Sequence, residues 1–364
     1  MFPPSPSQQP RRLGRERIQD ADGAIRQTDS DAILARLSTV KKGYLEDPFV
    51  AHLVPRAQFQ PTRPPLINVG TYIRSKSIDS LVDQWLEFCE REHKSCQIVS
   101  LGAGSDTRFW RIATGAHADT LKTYVELDFP DVTTKKAMAI RKSKELSMVL
   151  GPPDNITISL GGNALHSTKY HLLPCDLRLP PSSFLPSIIG GNLSPSLPTL
   201  LLFECVLVYM SPEASSALIE WFVNHFASTS DPSNGSVLGA IVYEMFGLQD
   251  AFGQVMMNNL RSRNVSLPGA SPYPTVESLP TRFARHEFTF SDALTLREVR
   301  EKYISPSELE RISSLEMLDE VEELNLVLEH YAITWGAKTF MPSETSRSFL
   351  GQWGLRITSA ASDD

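Results

Sequence analysis

The sequence predicts an α/β protein built on a Rossmann-like, doubly wound parallel sheet, and three observations carry that prediction. The stretch Gln97–Trp110 runs from a short apolar segment into Gly102-Ala103-Gly104 and then Ser105-Asp106-Thr107, which reads as a strand, a glycine turn and a capped helix start. Downstream, short apolar runs alternate with amphipathic segments as far as Lys338. Leu200-Leu201-Leu202-Phe203, before Glu204, is apolar at every position, as a central parallel strand covered on both faces has to be.

Taken in order, residues 1–25 mix Pro, Arg and Asp without periodicity and are expected to be a disordered leader. Their arginines read as a solvated tail, with nuclear import the alternative. From Asp29 the pattern is helical, with Ala32, Ile33, Leu37 and Val40 on one face and Gly43 as a stop. Prolines 48, 55, 61, 64 and 65 make 49–66 a connecting segment. Tyr72–His93 is an amphipathic helix that buries Leu81, Val82, Trp85, Leu86 and Cys89 and delivers the chain into the first strand.

Further strands are expected at Thr123–Leu127, Tyr170–Cys175, Leu200–Glu204 and Val237–Tyr243, with helices at Asp131–Lys144, after Pro212-Glu213, and at Gly247–Arg263. Two last strands, Arg285–Phe290 and Tyr331–Lys338, flank helical stretches at Leu294–Tyr303 and Ser307–Glu329. Gly151–Lys169 and Asn264–Arg282 interrupt the scheme as insertions long enough to act as lids. The expected organisation is one domain over 26–340, helical over 26–95 and sheet-based over 96–340, with a C-terminal tail at 341–364.

Composition excludes several classes of function. With 35 basic and 42 acidic residues the net charge is −7, which offers no positive field to nucleic acid. Cys89, Cys96, Cys175 and Cys205 have neither redox nor zinc spacing and read as buried reduced thiols, so no metal is expected. The N-terminus lacks an apolar signal core and the longest apolar run is far short of a membrane span. The expectation is a monomer in the cytoplasm, with Asn155-Ile156-Thr157 a chance glycosylation triplet.

In an open α/β sheet, ligands bind beyond the C-terminal ends of the strands, so residues there carry the chemistry. Alone, Gly102-Ala103-Gly104 fits a plain tight turn as well as a cofactor cradle; the acids at the other strand ends favour the cradle. Asp128 ends the second strand, placed to accept hydrogen bonds from a ribose diol. Asp176-Leu177 ends a later strand, where a carboxylate beside an apolar residue suits an adenine amino group and ring. Glu204, flanked by apolar residues on both sides, needs a cation or another partner if it is buried. No phosphate-binding loop is present, and the turn is shorter than a dinucleotide fingerprint. A cofactor with adenosine but no phosphates fits best, and S-adenosylmethionine is such a molecule.

Four strings, Leu101–Trp110, Val125-Glu126-Leu127-Asp128-Phe129-Pro130, Cys175-Asp176-Leu177-Arg178 and Phe203–Glu213, resemble the leucine carboxyl methyltransferase family, and the likeness extends through Asp250–Met256 and Glu316–Glu320. It therefore covers nearly everything after residue 29. The resemblance implies methylation, by S-adenosylmethionine, of the α-carboxylate of the C-terminal leucine of the type 2A protein phosphatase catalytic subunit. It implies that Gly102, Gly104, Asp128, Asp176, Leu177 and Glu204 hold the cofactor, and that Arg74 faces both cofactor and substrate. Arg36 stands where the family carries a site lysine, a change of reach and geometry with charge retained. Arg74 and Tyr209 are the catalytic candidates, Arg74 because a guanidinium fork suits a carboxylate. A peptide α-carboxylate, with a pKa of about 3.5, is ionised at neutral pH and needs no general base. The related tRNA wybutosine-synthesis enzymes continue into a propeller, for which the residues after the last strand leave no room. A small-molecule carboxyl methyltransferase and a non-catalytic binder of the phosphatase tail are the remaining alternatives.

Overall fold

The computed structural model describes residues 13–228, 237–340, 349 and 351–355. The chain begins with α1 (Leu13–Lys41), α2 (Val50–Leu53) and α3 (Pro65–Arg91), then enters β1 (Cys96–Leu101) and α4 (Arg108–Ala113). Next come β2 (Leu121–Asp128), α5 (Pro130–Lys142), α6 (Lys144–Val149), β3 (Thr157–Ser159), β4 (Ala164–His166) and β5 (Tyr170–Pro174). These are followed by α7 (Leu185–Ile189), β6 (Thr199–Glu204), α8 (Pro212–Ala227), β7 (Val237–Met245), α9 (Ala251–Ser262) and α10 (Thr281–Ala284). The chain closes with β8 (Phe290–Thr295), α11 (Leu296–Lys302), α12 (Pro306–Ser313), α13 (Val321–Glu329) and β9 (Tyr331–Thr339).

One nine-stranded sheet runs in the order β3-β4-β5-β2-β1-β6-β7-β9-β8. The five strands from β5 to β7 are parallel, and β9 enters antiparallel beside β7. Alternation along the central strands sends side chains to two separate cores. Cys96, Ile98, Leu200, Leu202 and Ile241 pack under α3 and the α11–α13 region, whereas Val99, Leu101, Leu201, Phe203 and Val242 pack under α7 and α8. The chain winds outward in both directions from β1 and β6, so the open end between them, at Leu101 and Glu204, is the switch point where such a sheet binds ligands.

Four expectations from sequence need correction. Residues 13–25, taken as part of a disordered leader, form the first turns of α1; residues 1–12 lie outside the described residues. Gly151–Lys169 is not a lid, because β3 and β4 form a hairpin that extends the sheet edge beside β5. Arg285–Phe290 is no strand: Glu287 takes a left-handed turn (φ 57°), Phe288 stacks on Phe283, and the strand begins at Phe290. Nor is the described part of the C-terminal tail peripheral. The Phe349 ring stacks on Phe88 at 3.8 Å, and Trp353 packs against Trp85 and donates its Nε1–H to the Leu81 carbonyl. Two large aromatics buried on α3 outweigh the polar residues around them.

Smaller differences concern helix ends. Thr295 and Glu298 form a reciprocal cap that starts α11 two residues later than expected, and the stretch Ser307–Glu329 divides into α12 and α13. All four cysteines are free, and Cys205, unlike the other three, is only half-buried. Asn264–Arg282 is a packed strap: Val265 and Leu267 are buried with Val208 and Met245, and buried Arg282 pairs with Glu244 of β7. Among the described residues no helix is long and apolar enough to cross a membrane.

Candidate active site

The chain turns out of β1 at Gly102 (φ +67°) and Gly104 (φ +50°), backbone that a side chain makes costly. A Cβ on Gly102 would lie 2.7 Å from Val206 Cγ2, so a bare backbone is what lets this turn press against the segment after β6. Gly104 N–H donates to Asp128 Oδ2 at 2.7 Å, and Phe129 N–H donates to Asp128 Oδ1 at 2.7 Å. Each Asp128 oxygen keeps a free lone pair, the number that two vicinal hydroxyls require. Burial pushes the Asp128 carboxyl up to about 6 against the pull of those two N–H groups, and nearby Asp29 adds to the rise.

Gly102, Asp128, Leu177 and Tyr209 wall a cavity of about 50 Å³, with Phe129 and Val206 beside them and Ile25 of α1 closing it. Asp176 lines the same cavity, but Arg178 engages it: Oδ1 accepts from the Arg178 backbone N–H and Nε, and Oδ2 accepts from Nη2. One lone pair on Oδ2 remains for a further donor. Arg178 in turn grips Asp22 of α1 at 2.6 Å and lies over the Phe129 ring. Tyr209 sits on a one-turn helix (Leu207–Tyr209) after β6, and burial raises its pKa, so it stays a neutral phenol.

Arg74 reaches the end of β6 from α3. Its Nε lies 2.7 Å from Glu204 Oε1, at an angle that leaves the buried Nε–H without a hydrogen bond. Glu204 Oε2 faces Arg108 Nη1 at 3.5 Å, so the acid has the cation that its position demands. Burial works against the Arg74 charge, but Glu204 and the adjoining Tyr243 outweigh it and hold the guanidinium pKa above its ordinary value. Cys205, next in the chain, takes a left-handed conformation (φ 53°) and donates its N–H to the Tyr243 carbonyl.

Beneath the glycine turn lies a layer of buried charge. Asp79 of α3 accepts from Arg108 Nε at 2.9 Å and Arg111 Nη1 at 2.6 Å. Burial opposes the Asp79 charge, yet these two arginines keep its carboxyl below the usual range. Arg36 belongs to this layer: its Nε donates to Asp47 at 2.6 Å and its Nη1 to the hydroxyl of Ser75, the residue beside Arg74. Arg36 thus does not line the cavity and is engaged by Asp47 and by Ser75 of α3. A larger groove of about 500 Å³, lined by Tyr72, Lys76, Gln84 and Tyr303, lies on another face of α3 and contains none of the strand-end acids.

This geometry can be set beside known proteins. A profile described as leucine carboxyl methyltransferase matches residues 24–223. Leucine carboxyl methyltransferase 1 of Cryptococcus neoformans is 45% identical over 351 residues, covering 88% of this chain and 94% of its relative. The chain belongs to the leucine carboxyl methyltransferase family. The enzyme of the same name from Aspergillus fumigatus is 37% identical, covering 89% of this chain and 85% of its own, and that from Bos taurus is 34% identical, covering 87% and 90%.

As a member of that family the protein is a methyltransferase, and the structure gathers most of the residues singled out in its sequence at one end of the sheet. Gly102, Asp128, Asp176, Leu177 and Tyr209 share the cavity, Gly104 holds Asp128, and Arg74 and Glu204 meet at the switch point. The methyltransferase also uses residues that sequence reasoning missed. Asp29 Oδ1 accepts the Ser105 N–H at 2.7 Å and Oδ2 accepts its hydroxyl at 3.0 Å, so α1 pins the glycine turn. Asp22 and Ile25 lie in the stretch dismissed as a leader. Nothing in the local pattern marks Asp29 beyond a helical acid, because its partner is 76 residues away. Asp29→Ala is expected to lower stability by about 1–3 kcal/mol by stranding the Ser105 donors. Urea denaturation checks this, and an unchanged midpoint would show that the pin carries no energy.

Proposed function

We propose that this protein transfers the methyl group of S-adenosylmethionine to the α-carboxylate of the C-terminal leucine of the type 2A protein phosphatase catalytic subunit, forming a methyl ester. The observation that carries the reading is Arg74, a half-buried guanidinium whose buried Nε–H makes no hydrogen bond, at the switch point, one strand from the glycine turn. The residues present fit the cofactor. Gly102 lines the cavity with backbone, Asp128 keeps two lone pairs for a ribose diol, and Leu177 gives an apolar wall. When bound, S-adenosylmethionine supplies an electrophilic methyl group on its sulfonium.

The protein's own part is to bind, orient and dehydrate. The acceptor carboxylate is already the nucleophile, and neutral Tyr209 is not needed as a base. Holding two reactants in line contributes up to about 7–11 kcal/mol. A cavity of about 50 Å³ has room for a few waters and not for a nucleoside, so its walls, Ile25 of α1 among them, have to part to admit the cofactor.

Radiolabelled S-adenosylmethionine with the purified phosphatase catalytic subunit, intact or lacking its last leucine, tests the reading. Base-labile label on the intact subunit alone is expected. Label on both, or on free small carboxylic acids instead, would overturn the assigned acceptor, and cofactor binding without transfer would point to a tail-binding role.

Asp128 gives the site a pH dependence. Its folded-state pKa of about 6 lies above the ordinary 3.8, so its protonated form favours the fold, a contribution fully present below about 4 and lost as pH rises through about 6. Ligand binding has the opposite sign, since the ionised carboxylate is the acceptor. Affinity for S-adenosylhomocysteine, measured by calorimetry between pH 8 and 5, is expected to fall on acidification with a midpoint near 6. Asp128→Asn is expected to bind weakly with a flat profile, and a flat wild-type profile would remove Asp128 from the contact.

A further inference from the structure

We infer that Tyr243, backed by Tyr331, is the positioning residue for Arg74, setting the plane of a guanidinium that Glu204 holds only by its edge. This rests on the proposed function insofar as Arg74 orients a carboxylate of that reaction. Glu204 and Tyr243 are register partners across β6 and β7, so the two groups that touch Arg74 stand side by side on the sheet. The Arg74 guanidinium carbon lies 5.1 Å from the centre of the Tyr243 ring. The Tyr331 ring, at the start of β9, stacks on Tyr243 at 5.4 Å with only 12° between the planes. Tyr243 is 6% exposed and cannot swing away.

The division of labour follows from the chemistry of the three groups. A carboxylate that meets the guanidinium at Nε alone pulls it but leaves it free to pivot about the contact, and here that contact is poorly angled. An aromatic face attracts the cation through its quadrupole and restrains the pivot, because the guanidinium carbon sits over the ring, 5.1 Å from its centre. It does so without formal charge. A second carboxylate in that place would neutralise Arg74 and compete with the incoming anion; a ring leaves the fork charged and aimed.

Two carboxylates take part in the reaction, that of the cofactor's amino-acid end and that of the acceptor's C-terminus, and Arg74 suits either. Full-length Tyr243→Phe, Tyr243→Leu and Arg74→Ala enzymes separate the cases, with thermal unfolding, S-adenosylhomocysteine calorimetry, and kcat and KM on the phosphatase subunit as readouts. Tyr243→Phe is expected to stay within about threefold of wild type. Tyr243→Leu is expected to lose about 10- to 30-fold in kcat/KM while remaining folded. Loss of S-adenosylhomocysteine affinity assigns the cofactor carboxylate, and a raised acceptor KM with that affinity intact assigns the acceptor. In the Arg74→Ala background, Tyr243→Leu should cost almost nothing more.

Wild-type kinetics in Tyr243→Leu, equal damage from Tyr243→Phe, or full additivity with Arg74→Ala would each overturn the inference. Should Tyr243→Leu not fold, Tyr331→Leu decides, and unchanged turnover there would overturn it. If the wild-type enzyme methylates no carboxyl end, the proposed function falls, while the calorimetry still reports whether Tyr243 acts on Arg74.

Discussion

Arg74→Ala should lower kcat/KM for the intact phosphatase subunit by about 100-fold or more, the cost expected when a carboxylate loses its orienting group and drifts by about an ångström. Two effects combine. The acceptor or cofactor loses the guanidinium that α3 brings to the strand end, and Glu204, left with Arg108 Nη1 at 3.5 Å, becomes a repulsive neighbour for an incoming anion. Arg74→Lys should recover part of the loss, because a lysine keeps the charge but not the planar fork that lies on Tyr243. Thermal unfolding should change little by comparison, since Arg74 contributes one poorly angled ion pair and one ring contact to the fold and Glu204 keeps Arg108. Kinetics within tenfold of wild type in Arg74→Ala would move the carboxylate site elsewhere.

The second large effect concerns stability. Arg282 Nη1 and Nη2 donate to the two oxygens of Glu244 at 2.5 and 3.0 Å, both residues are buried, and the guanidinium lies 4.3 Å from the Tyr273 ring centre. Arg282→Met leaves Glu244 as an uncompensated charge inside the protein, and about 3–5 kcal/mol of stability should be lost, read as a lower urea midpoint. Arg282→Met with Glu244→Leu should restore most of it, because the penalty belongs to the stranded charge and not to the missing contact. The same pair ties the strap over 264–282 to β7 beside Tyr243, so the single variant should also lose turnover. An Arg282→Met enzyme as stable as wild type would mean that Glu244 takes up a proton or water without cost.

Much of this was legible in the sequence because it is local. The period of apolar residues marked β1, β2, β5, β6 and β7 to within a residue or two, since burial on one or both faces is written directly into alternation or its absence. Gly102 and Gly104 announced a tight turn, and the strand-end positions of Asp128, Asp176 and Glu204 followed from strand length alone. The strings around them carried the family. The weak points were segments whose fate depends on distant neighbours: the first turns of α1, the β3–β4 hairpin, and Phe349 and Trp353 in the tail.

What sequence determined on its own, then, is the α/β architecture, the family, and which strand ends bear acids. Tertiary structure alone decided how those acids are used. It paired Glu204 with Arg74 across 130 positions of chain, set Asp29 on the glycine turn, engaged Asp176 through Arg178 and Asp22, and tied Arg36 to Asp47 and Ser75. The reason is that backbone periodicity and turn chemistry act over a few residues. A buried charge instead takes whichever opposite charge the packed sheet and helices bring within a few ångströms, and chain separation does not limit that choice.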